Sequence, residues 1–268
     1  MRLPTVLFAT AVCAVLVTPV FPQRRVARSC QGSADGGVTI NFNQPKMMKP
    51  VTGAPYSAIQ SGQSVQTLAD GTHVTHNGRE ETATWRDSYG RVRTETRVTP
   101  ERASPCDAIP VEIEDPIAGY VYVLDPVDQV AYRLPLRTPS NPGIERAQKP
   151  PAQPAQPSPG DPTLTTEPLG EKTMFGITVT GTRTTATYPA GSRIGNDRPV
   201  AVISESWVSS QLKLAVYSQS TNYGETVSTT TLKDLSVTEP DPSLLQVPPG
   251  YKIIDENGPF TIHKDSRP

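Results

Sequence analysis

TATWRDSYGRVRTETRVT, residues 82–99, decides how the rest of the chain is read. In its second half Val92, Thr94, Thr96 and Val98 alternate with Arg91, Arg93, Glu95 and Arg97. Successive side chains on a strand point to opposite faces, so this stretch is a strand with one semi-apolar face and one in water. Asp87-Ser88-Tyr89-Gly90 forms the turn between it and a preceding strand at 79–86.

Working upstream, residues 56–68 are rich in β-compatible types, with Gly62 marking a bulge where the alternation slips. Asp70-Gly71 closes a hairpin onto a return strand at 73–77, because glycine tolerates positive φ. Downstream, PVEIE, GYVYVL and QVAYRL are short strands joined through Asp115-Pro116 and Asp125-Pro126. Residues 136–169 change character: prolines crowd a stretch with few large apolar groups. That composition cannot offset the entropy of ordering, so it predicts a Pro-rich flexible insertion. Strands resume at 171 and run to 237. Pro242 to Leu245 then start one helical turn capped by Asp241.

The fold expected is mainly β: a large curved antiparallel sheet or half-barrel with little helix, one domain interrupted by the insertion. The two parts of that domain are 55–135 and 170–254. A poorly ordered leader (24–54) precedes them and a polar tail (255–268) follows.

The chain has 268 residues, 29 of them Pro, with 25 Lys+Arg against 26 Asp+Glu. This near balance excludes an electrostatic nucleic-acid binder. The only long apolar run, residues 3–20, is short and proline-flanked. It reads as a signal peptide (1–23), with an uncleaved amino-terminal anchor as the alternative. The expectation is export to the periplasm or beyond, with no membrane span in the mature chain. Removal of 1–23 leaves two cysteines, Cys30 and Cys106. In an exported chain these read as a disulfide, the alternative being two unpaired thiols.

No catalytic set stands out. His73 and His76 are three apart on a strand and face opposite ways, and His263 lies in the tail. Familiar nucleophile-base arrangements therefore lack a base, and neither a metal nor a cofactor is implied. Glu112 and Glu114 share a face that reads as solvated. Arg91, Arg93 and Arg97 read as partners of Glu80 and Glu81 across the strands.

Several segments resemble a group of uncharacterised exported acidobacterial proteins. They are TATWRDSYGRVRTE, DPIAGYVYVLDP, GTRTTATYPAGSRIGNDRPV, SESWVSSQL, YGE and EPDPSLLQVPPGY. The last, following a run of strands, is also distantly similar to the end of periplasmic lipoprotein-carrier domains. That resemblance implies a non-enzymatic envelope protein binding an apolar ligand or lipidated chain on a concave sheet face, lined by Trp85 and Trp207. The alternative is a structural or signalling module of the envelope-stress-sensor kind, meeting an envelope protein partner through a sheet edge.

Overall fold

Alternation like that of residues 91–98 recurs throughout the computed structural model, which describes residues 28–32, 37–43, 49–98, 100–107, 109, 111–136, 160–223 and 225–264. The described residues form two sheets. The larger contains β3 (Tyr56–Thr67), β4 (His73–Asn77), β5 (Glu80–Arg86) and β6 (Val92–Val98). After them come β7 (Val111–Asp115), β8 (Tyr120–Asp125) and β9 (Val130–Pro135). Its other half is β10 (Thr163–Met174), β11 (Ile177–Tyr188), β12 (Val200–Ser209), β13 (Leu214–Asn222) and β14 (Thr226–Ser236). β15 (Lys252–Asp255) completes it.

The order is β10-β11-β12-β13-β14-β3-β5-β6-β7-β8-β9-β15, with β4 beside β3. This is the large, mainly β sheet expected, open rather than closed, and mixed. Every pairing is antiparallel except β15, which runs parallel to β9. β14 pairs with β3 and so joins the strands after the insertion to those before it.

Two boundaries read from the sequence are corrected. The leader, residues 24–54, is not poorly ordered throughout: its β1 (Arg28–Gly32) and β2 (Val38–Phe42) form a second, three-stranded sheet with β16 (Phe260–Lys264) from the polar tail. Each strand is five residues long, too short for its alternation to register alone. Paired, Val38, Ile40, Phe42, Phe260 and Ile262 make one apolar face. The insertion was carried to Leu169, yet Thr163–Met174 is a strand. Its Pro168 is tolerated because β10 is the outermost strand and the register slips between Pro168 and Gly170. Residues 137–159 of the proposed insertion, and the signal-peptide segment 1–23, lie outside the described residues.

The small sheet lies on one face of β8 and β9, burying Val121, Val123 and Leu134. Phe260 stacks between Phe42 at 4.8 Å and Tyr132 at 5.0 Å. Glu112 and Glu114 stand opposite Val123 and Val121 on that same face. They are therefore buried, at 8% and 4% exposure, rather than solvated. A disulfide between Cys30 and Cys106, Cα atoms 5.9 Å apart, ties β1 to the β6–β7 connection. Lys264 is a third tie, pairing with buried Asp125 and with Asp128. The reverse face of β7–β9 buries Val111, Ile113, Leu124 and Ala131 against Val247 and Tyr251. Asp241 caps the short 3-10 turn Pro242–Leu245 as expected, accepting from the Ser243 N–H at 2.9 Å.

At mid-sheet, Arg86 is 6% exposed. Its Nε donates to the Ala54 carbonyl at 2.9 Å and its terminal nitrogen to the Leu212 carbonyl at 2.5 Å. The guanidinium also lies 4.6 Å from the Tyr56 ring centre. Replacing it strands two buried acceptors, so Arg86→Met is expected to cost about 3 kcal/mol or more in urea unfolding.

Burial opposes the charge on Lys264, but its bonds to Asp125 and Asp128 outweigh this and raise its pKa above 10.5. A raised lysine stabilises fully below the unfolded value and loses that contribution as pH climbs through the folded one. The stability gap between wild type and Lys264→Met should therefore be full at about pH 8 and shrink above about pH 10.5. Paired urea titrations would measure it.

Candidate functional site

The strands from β11 to β3, with β4 beside them, pair without interruption over the residues that matter for a surface. Thr185 lies opposite Ile203, Ile203 opposite Thr221, and Thr221 opposite Val227. Val227 then faces Val65, and Val65 faces Thr75. Directly opposed residues share a face, so these six β-branched side chains form one stripe across six strands. At the usual strand spacing it is about 24 Å long. Ile203 is 37% exposed, and Val227 and Val65 are half-buried. The stripe offers methyl groups throughout, with threonine hydroxyls between them.

The reverse face differs. One residue along each strand, Thr184, Ser204, Ser220, Ser228 and Ser64 are aligned. On that face Leu164, Ala186 and Val202 form an apolar run that stops at Asn222, and Val216, Leu232, Ala58 and Tyr56 are taken up in a buried core cluster. The stripe's face instead leaves Ile203, Val227 and Val65 partly exposed in one line from β12 to β3.

Two residues along from the stripe on the same face runs a polar row: Arg183, Glu205, Gln219, Thr229, Gln63 and Asn77. Arg183 donates to Glu205 at 2.8 Å and to Glu167 at 2.6 Å. Those hydrogen bonds, Glu205 first, raise its pKa above the usual arginine value. At the other end Gln63 donates to Asn77 at 3.1 Å.

Beside Gln63 the surface dips into a hollow of about 520 Å³. It forms where β3 changes partner, from β5 over residues 56–60 to β4 over residues 63–67. The Gly78 N–H donates to the Gly62 carbonyl at 2.7 Å. A Cβ on Gly78 would lie 2.9 Å from that oxygen, so the crossing needs glycine. Gly62 itself stays in register with Thr230, so the irregularity expected there sits instead in the β4–β5 connection. Arg79, Glu80, Glu81, Arg97 and Lys233 rim the hollow. The expected pairs across the strands are not the ones formed. Arg93 and Arg97 pair with Glu95 on their own strand, two residues away on the same face. Arg91 binds Asp87, Glu80 meets Arg79, and Glu81 binds Lys233 at 2.8 Å.

The two tryptophans do not make a common surface. Trp207 on β12 is 7% exposed, in a core cluster with Tyr56, Val179 and Leu232. Lys172 lies over its ring, 3.5 Å from the centre. Trp85 on β5 stands opposite Ser57 and Arg93, half-buried, with the Arg93 guanidinium 5.9 Å from its ring centre. Four strand spacings separate β12 from β5, roughly 19 Å along the sheet. The stripe and the hollow were not singled out from the sequence. Their only signal is the recurrence of Thr, Val and Ile at alternate positions, which acquires meaning once the register is known.

Among the described residues no group of three His, Cys, Asp or Glu side chains is placed to hold a metal ion. No helix among them is long and apolar enough to cross a membrane. No family model matches the sequence, and no curated protein does. Solved structures it is similar to include the Mycobacterium tuberculosis lipoprotein LppX. That match has 12% identity over 68% of this chain and 89% of that one, with a TM-score of 0.25. A putative outer membrane lipoprotein-sorting protein domain from Vibrio parahaemolyticus matches at 8% identity, covering 70% and 88%, TM-score 0.22. A DUF1329 family protein from Desulfovibrio piger matches at 10%, covering 72% and 90%, TM-score 0.17.

Gly181 lies opposite Trp207, and a Cβ there would sit 2.6 Å from the indole ring. Gly181→Ala should therefore displace Trp207 and destabilise by about 1–3 kcal/mol, read by urea titration of indole fluorescence.

Proposed function

We propose that this is a non-catalytic, exported envelope protein that binds an apolar ligand or a lipidated chain on the stripe-bearing face of its large sheet. The observation that carries this reading is the uninterrupted row from Thr185 through Ile203, Val227 and Val65 to Thr75. A hydrocarbon chain laid across the strands gains contact along the whole row, and half-exposed Ile and Val lose water on its arrival. The disulfide supports export, since such bonds persist in oxidising compartments. Trp85 and Trp207 serve the fold in this reading rather than the ligand.

Edge-to-edge binding of a protein partner is less well supported. Among the described residues β10 is the terminal strand of the large sheet, and it carries Pro168 and a register slip, devices that blunt strand addition.

Native mass spectrometry of the protein purified from its own envelope should retain a bound apolar mass. Reproducible absence of any such mass would count against the proposal. Ile203→Asp, at an exposed position, should keep the fold and weaken binding of a fluorescent fatty acid about tenfold or more.

A further inference from the structure

The hollow beside Gln63 lies against the stripe, on the same face. Val65 is two residues from Gln63 on β3, and Val227 two from Thr229 on β14. Gln63 and Thr229 line the hollow, whereas Val65 and Val227 belong to the stripe. An apolar track therefore ends beside a polar cavity, the arrangement that suits an amphiphile rather than a plain hydrocarbon.

The charge on the rim narrows the class. Arg79, Arg97 and Lys233 stand there with Glu80 and Glu81. A purely anionic head would meet the two carboxylates, and a purely cationic one the three bases. A head carrying both charges satisfies both sets. Arg79 is held by the mostly buried Asp107, but the Lys233–Glu81 pair is exposed, the Lys233 side chain 52% accessible and that of Glu81 42%. Exposed pairs contribute little to stability, so they open at small cost. Lys233 can then turn to a phosphate while Glu81 accepts an ammonium, each keeping a charge-assisted partner. At about 520 Å³ the hollow has room for such a head.

We infer that the hollow is a headgroup site for a phosphate-plus-ammonium zwitterion, and that its ligand is a single-chain zwitterionic amphiphile whose tail follows the stripe. This rests on the binding role proposed above and names the ligand class for the same face.

The test is a binding series on the full chain, each lipid held below its critical micelle concentration. The probes are lysophosphatidylethanolamine, lysophosphatidylglycerol and palmitate, with free phosphoethanolamine as the head alone. Lysophosphatidylethanolamine should bind about tenfold more tightly than lysophosphatidylglycerol or palmitate, the scale of one charge-assisted contact. Glu81→Gln should remove the preference over lysophosphatidylglycerol. Lys233→Gln combined with Arg97→Gln should reduce lysophosphatidylethanolamine to the level of palmitate. Equal binding of all three lipids, still weakened by Ile203→Asp, would overturn the headgroup site and leave the apolar role standing. Binding of free phosphoethanolamine as tight as that of the lysolipid would overturn the amphiphile, marking a site for a soluble zwitterion. Loss of every lipid signal, with Ile203→Asp indistinguishable from wild type, would overturn the binding role itself.

Discussion

Arg86 is the group on which the continuity of the large sheet depends. A buried guanidinium costs several kcal/mol unless its donors are satisfied, and water cannot reach this one. Its acceptors come from far apart: Ala54 lies just before β3, and Leu212 lies in the turn between β12 and β13, 126 residues away. Arg86 therefore joins a carbonyl that precedes β3 to one that follows β12, beside the seam where β14 pairs with β3. The core cluster of Tyr56, Trp207, Leu214 and Leu232 draws on strands from both sides of that seam.

Once the seam is fixed, the two ends of the sheet differ because different chain segments return to them. At β7–β9 the three-stranded sheet covers one face and the segment bearing Val247 and Tyr251 the other. Those strands are accordingly buried on both faces: VEIED is buried at four of its five positions, Glu112 and Glu114 included. From β11 to β14, away from the core cluster of Val179, Trp207, Leu214, Val216 and Leu232, the side chains are mostly threonine, serine and single β-branched residues at intermediate or full exposure. Such strands hold together by main-chain ladders and cross-strand pairs more than by a deep core. The partly exposed branched side chains of the stripe are consequently at this end.

How much of this was legible in the sequence follows from what each signal needs. Alternation within one strand needs no partner, so the strands, the Asp70-Gly71 turn and the Asp241 cap could all be read directly. The large sheet followed from their number. Register is different, because it belongs to pairs. Glu112 and Glu114 look solvated until Val121 and Val123 are placed beside them and covered. The small sheet was invisible for the same reason, its apolar face being divided between β2 and β16 at opposite ends of the chain. Trp85 and Trp207 drew attention by size alone, which says nothing about the strands that separate them. The stripe is made of common residues and exists only as a relation among six strands.

A sheet of this length can meet another molecule along an edge or across a face. Edges present unpaired main-chain groups that any extended chain can join, so they tend to be blunted. Here one terminal strand carries Pro168, a register slip, and Glu167, Glu171 and Lys172, while the other, β15, is only four residues long. A face offers no main-chain groups, so what it binds is selected by side chains held in register. The branched side chains of the stripe lose little rotamer freedom when covered, and its backbone is already fixed by pairing on both sides from β12 to β3. Contact with an apolar chain is thus opposed by little ordering entropy in the protein. In the binding role proposed above, that preorganisation is what would let a modest strip of methyl groups hold a chain without a deep cavity beneath it.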